Sequence, residues 1–129
     1  MRWQAHELEL SSSQSVGASK TDEPISYVFS IISDPRLLRV DIVFSSVTVA
    51  ADVVIKLQDT HDGTTWRDVK TNNTPVTSAT PVMHSITINP NVDTTEALLP
   101  MRDRARVVLT TGVGDAAAIT SVKVYRMEG

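Results

Sequence analysis

The chain has 129 residues, no cysteine, and 12 basic against 15 acidic side chains, for a formal net charge of −3. These figures exclude disulfide frameworks, cysteine zinc ligands and cysteine nucleophiles. The charge is also too even and too scattered to form the basic stripe of a nucleic-acid-binding surface. Hydrophobic residues make up 41% of the chain and charged residues 21%, ordinary values for a globular protein, and the length fits one domain over 1–129 with a core of its own.

The opening MRWQAHELELSSS has no apolar stretch of the kind a signal peptide needs. No apolar run approaches the ~20 residues that cross a bilayer as a helix. With cysteine also absent, the expectation is a soluble protein used without export, with neither membrane nor nucleic acid as a partner.

In chain order, Trp3–Leu10 alternates as a strand, with Ala5, Glu7 and Glu9 opposite His6, Leu8 and Leu10. Residues 11–23 are rich in Ser, Thr, Gly and Lys and read as a loop, so that 1–23 forms an N-terminal arm. Ile25–Ile32 is β-forming by its branched and aromatic content, and Ser33-Asp34-Pro35-Arg36 is a turn. Leu37–Phe44 puts Leu38, Val40 and Ile42 on one face, with Arg39 and Asp41 on the other.

The clearest signal is VVIKLQDTHDGTTWRDV, residues 53–69. It is a strand, an Asp62-Gly63 turn and a return through Trp66 to Val69, which makes a β-hairpin. Residues 72–81 form a polar connection punctuated by proline. Val82–Ile88 is a strand with Val82, His84, Ile86 and Ile88 on one face; Asn89-Pro90-Asn91 stops it, and Leu98-Leu99-Pro100 anchors a loop. Ala105–Thr111 and Ile119–Tyr125 are the last strands, joined by a glycine-bearing loop at 112–116. No window of comparable length shows helical periodicity, and Ala116–Ala118 is too short to stand as a helix. The expected class is all-β: a single antiparallel β-sandwich, jelly-roll-like, of about eight strands.

The chemistry-bearing residues do not form a familiar constellation. His6, His61 and His84 lie in three distant segments, unlike converging metal ligands, and His84 falls on an apolar strand face. Asp59, Asp62 and Asp68 flank the hairpin loop but do not match a calcium-loop pattern, and Asp62-Gly63 is accounted for by turn chemistry. There is no G-x-S-x-G elbow, and Gly112-Val113-Gly114-Asp115 lacks the lysine and helix of a phosphate loop. The expectation is a protein that is not an enzyme and carries no cofactor or metal. Trp66 reads as packing over the hairpin and closing one end of the sandwich, or else as an exposed platform for a sugar ring. Trp3, so close to the start of the chain, reads as an anchor to its own sheet or to a neighbouring subunit.

Two stretches, VIKLQDTHDGTTWRDV (54–69) and LLPMRDRARVVLTTGVGDAAAITSVKVY (98–125), resemble segments of small virion proteins of tailed bacteriophages, in particular the jelly-roll capsid cement (decoration) proteins. The D-G-x-x-W hairpin also occurs in carbohydrate-binding sandwiches. The resemblance implies a trimer seated on the lattice of the major capsid protein and assembled in a bacterial cytoplasm. Its contact residues would be Arg2 and Trp3 in the N-terminal arm and Arg102 and Arg104 in the basic run that ends at Arg106. Other positions in the virion (neck, tail or baseplate) and a carbohydrate-binding module remain open alternatives, as does a small hydrolase.

Overall fold

The computed structural model describes residues 4–9, 14–30, 37–71, 76, 82–88 and 104–127. The expected Ser33–Arg36 turn, most of the 72–81 connection, and the Asn89–Asn91 and Leu98–Pro100 segments lie outside them. The described residues form ten strands: β1 (Gln4–Glu9), β2 (Gln14–Val16), β3 (Glu23–Pro24), β4 (Phe29–Ser30), β5 (Leu37–Thr48), β6 (Val53–Thr60), β7 (Arg67–Thr71), β8 (Val82–Ile88), β9 (Arg104–Thr111) and β10 (Ala116–Met127).

The strands make two sheets, ordered β1-β10-β5-β8 with β2 also on β10, and β3-β9-β6-β7 with β4 also on β9. Every pairing is antiparallel. β1 and β2 lie end to end along one edge of β10, and β3 and β4 along one edge of β9. Counted as single edge runs, these leave eight strands, in the order first-eighth-third-sixth and second-seventh-fourth-fifth. That is a jelly roll, two Greek keys wound into facing sheets, and the expected all-β sandwich is the observed one.

The core follows from period-two alternation. Leu38, Val40, Ile42 and Phe44 of β5, Val53, Ile55 and Leu57 of β6, Val107 and Leu109 of β9, and Ile119, Val122 and Val124 of β10 are all buried between the sheets. β5 outruns the expected end at Phe44 because of a bulge. Ile119 sits opposite Phe44 while Ala118 sits opposite Ser46, so Ser45 is an extra residue and Val47 turns back into the core. The shift at Thr120 on β10 answers it, with Ser121 opposite Val43. A bulge resets the face each later residue points to, so simple alternation stops where the strand does not.

Residues 14–23, loop-like by composition, lie along both sheets from Gln14 onward. Val16 is buried, the Lys20 and Asp22 N–H groups donate to the Thr111 and Thr110 hydroxyls at 3.0 Å, and Lys20 O accepts from Thr111 N at 2.8 Å. Small polar residues suit such edge positions, where hydroxyls stand in for a continuous ladder.

Candidate functional site

The β6–β7 hairpin builds the most elaborate side-chain assembly among the described residues. At its tip Gly63 has φ 83°, the left-handed region that glycine enters without strain. Asp62 accepts from the Thr64 and Thr65 N–H groups at 2.9 and 2.7 Å. Those bonds hold its carboxyl far below the usual carboxylate range. Arg104 reaches across from β9, donating from Nη2 to His61 O at 2.8 Å, and a Cβ on residue 63 would lie 3.1 Å from its Nη1.

On the outer face of the second sheet, Arg106, Gln58 and Asp68 form one row across β9, β6 and β7. Arg106 Nε donates to Gln58 Oε1 at 3.0 Å, and Gln58 Nε2 donates to Asp68 Oδ1 at 2.9 Å. Lys56 Nζ bridges Asp68 Oδ2 at 3.1 Å and Asp22 Oδ1 at 3.8 Å. The Arg106 guanidinium lies over the Trp66 indole, its Cζ 4.1 Å from the ring centroid. Burial lowers the Arg106 pKa. Burial would raise that of Asp68, but the Gln58 and Lys56 hydrogen bonds outweigh it and the net shift is downward.

Trp66 therefore does not close the end of the sandwich. It lies half-buried outside the core with a cation stacked on it. Trp66→Ala should cost about 1–2 kcal/mol, the stacking energy plus the half-covered ring, less than the ~3–5 kcal/mol of a buried tryptophan. Chemical denaturation of both chains measures it.

The opposite side of the same strands is different. Asp59 is fully buried and takes Arg67 on both oxygens, Nε at 2.7 Å and Nη2 at 3.0 Å. Asp59, Asp62 and Asp68, flanking one loop in sequence, thus serve an ion pair, a turn and a surface network. His84 packs edge-to-face on Phe44 with centroids 5.8 Å apart, His61 is exposed in the loop, and His6 lies on β1. Among the described residues no cluster of three or more His, Asp or Glu could hold a metal.

Of the expected contact residues, Arg104 lies beside the Trp66–Arg106 stack on this face, whereas Arg2, Trp3 and Arg102 lie outside the described residues. Gln58, Lys56 and Asp68 were not anticipated as partners of that stack. The polar parity of Lys56 and Gln58 in β6 places them outward, but only strand pairing reveals that Arg106 and Asp68 are their neighbours.

No protein-family model and no curated protein matches the chain. Among solved structures it is similar to a chain of "Structure of infectious bursal disease virus Gx strain", with 17% sequence identity and a TM-score of 0.46, over 99% of this chain and 33% of that one. The chain therefore spans about a third of the length of that neighbour, and a likeness at this level assigns no function.

Proposed function

We propose that this chain is a non-enzymatic structural component of a tailed-bacteriophage virion, a cement protein that adds stability to the head by binding the major capsid lattice as a homotrimer. The observation that carries this reading is the convergence of the two segments that resemble cement proteins. The hairpin strands β6 and β7 and the closing strand β9 are neighbours in one sheet. Their shared outer face presents Trp66, Arg104 and Arg106, residue types favoured at the centres of protein interfaces. Stacking on the indole and one bond to Gln58 hold Arg106 in place, so little side-chain freedom is lost on contact. Arg2, Trp3 and Arg102 belong to the same proposal as further contacts. Many equivalent sites on a shell multiply a modest affinity per site.

Capsid shells lacking the protein, mixed with the purified chain and sedimented, should carry it down. Arg104→Glu with Arg106→Glu should weaken that binding on the order of tenfold or more and leave the β-sheet circular-dichroism signal unchanged. A chain that stays in the supernatant at saturating concentration overturns the reading. The half-exposed Trp66 beside the Gln58–Asp68 pair favours a glycan-binding module as the second reading, and specific binding on a glycan array abolished by Trp66→Ala would establish it instead.

A further inference from the structure

The cations of the sandwich divide into two kinds. Lys56 is met by the carboxylates of Asp68 and Asp22, at 3.1 and 3.8 Å. Arg67 has Asp59 at 2.7 Å, and Arg39 on the first sheet has Asp41 at 3.3 Å. Arg104 and Arg106 differ. Each is held by a neutral acceptor, Arg104 by His61 O at 2.8 Å and Arg106 by Gln58 Oε1 at 3.0 Å. Among the described residues no carboxylate lies within ion-pair distance of either guanidinium. Asp22 acts on Arg106 through space and is already engaged by Lys56.

These two arginines stand ready for a counter-charge that the described residues do not supply. They lie two positions apart on β9, both on the outer face, because Ala105 between them is buried in the core. Two strand residues span about 7 Å. One bond each fixes their direction, and the Trp66 ring steadies Arg106 further, while most of their N–H donors are left for a partner. A guanidinium and a carboxylate make paired, charge-assisted bonds in one plane. An extended polyanion such as nucleic acid would also meet Asp22 and Asp68 on this face and be repelled. A short, localised acidic group is the complement that fits.

We infer that Arg104 and Arg106 receive acidic side chains of a protein partner, carried two residues apart on an extended segment so that both carboxylates match the spacing on β9. The site lies on the face proposed above to contact the capsid and rests on that reading, to which it adds the chemistry of the partner.

An NMR titration of the full chain with the peptide acetyl-Glu-Thr-Glu-amide tests it, following the arginine Nε–H and the Trp66 indole signals, with acetyl-Gln-Thr-Gln-amide as the control. The acidic peptide should bind saturably and at least about tenfold more tightly than the control. Arg104→Gln and Arg106→Gln should each weaken it several-fold and together abolish it, with the circular-dichroism signal unchanged. Lys20→Gln, which removes a charge from an exposed position outside the row, should leave it unchanged. No preference between the peptides, equal weakening by Lys20→Gln, or tighter binding of a short oligonucleotide of equal charge overturns the inference. Shells that carry down a chain indifferent to the acidic peptide would keep the cement reading and remove this inference alone. A chain that binds the peptide but no shell would remove the cement reading alone.

Discussion

Asp59→Asn should destabilise the protein by about 3–5 kcal/mol, the cost of breaking a buried ion pair by removing one partner. Asp59 is 0% exposed, and the Arg67 side chain that meets both its oxygens is only 19% exposed. The hydrogen bond and charge of Asp59 raise the Arg67 pKa; even without them a guanidinium stays protonated at ordinary pH, so the substitution leaves its charge in a largely buried place with the facing carboxylate removed. Against the ~5–15 kcal/mol that holds a typical domain folded, such a loss is large. The loss belongs to the orphaned charge and not to the pair itself. Asp59→Leu combined with Arg67→Met should therefore recover most of it. Urea denaturation of the single and double variants decides. A single variant within ~1 kcal/mol of wild type would show that water reaches the pair freely.

Asp115→Asn should lower the melting temperature on the order of 10 °C and remove part of the acid sensitivity of the fold. The Asp115 carboxylate accepts four backbone N–H groups: Ala50 and Ala51 on Oδ1 at 2.6 and 2.8 Å, and Asp52 and Gly112 on Oδ2 at 3.0 and 2.7 Å. It therefore joins the β5–β6 and β9–β10 connections, both of which cross from one sheet to the other. Gly112 packs there so closely that a Cβ would lie 2.8 Å from the Ala51 Cβ. An asparagine keeps one carbonyl and turns an amide towards donors, so part of the cradle loses its acceptor.

The N–H bonds, led by Ala51, hold the Asp115 pKa below its ordinary value. The folded pKa is thus below the unfolded value of about 3.9. The stabilisation is complete above that value and is lost as pH falls through the folded pKa. Asp62 and Asp68, also shifted down, act in the same direction. His84 adds an earlier step: burial lowers its pKa, so stability declines as pH drops below its unfolded value of about 6.5. Melting temperatures across this range should show a gentle fall from His84, abolished in His84→Phe. A steeper fall below about pH 4 should be blunted in Asp115→Asn. An Asp115→Asn profile parallel to that of the wild type would rule out the carboxylate as a source of the acid-labile stabilisation.

Both predictions rest on contacts between residues far apart in the chain, which marks the boundary of what the sequence conveys. Alternation in 38–44, 53–57 and 82–88 identifies core-facing residues, because a strand side chain has only two directions to point. Asp62-Gly63 identifies its turn because the left-handed conformation and the side-chain cap are local chemistry. These local rules establish an all-β sandwich. They miss the last four residues of β5, because the Ser45 bulge reverses the alternation and is held by its partner on β10. They also miss the bulge at residues 25–28, where four residues between Pro24 and Phe29 face two on β9, which a run of β-forming residues conceals and the Val107 N–H bond to the Ser26 hydroxyl accompanies. The grouping of Trp66, Arg106, Gln58 and Asp68, the burial of Asp59 and the Asp115 clamp were decided by strand pairing alone. Register across sheets depends on which distant segment lies alongside, and no local preference of these residues encodes it.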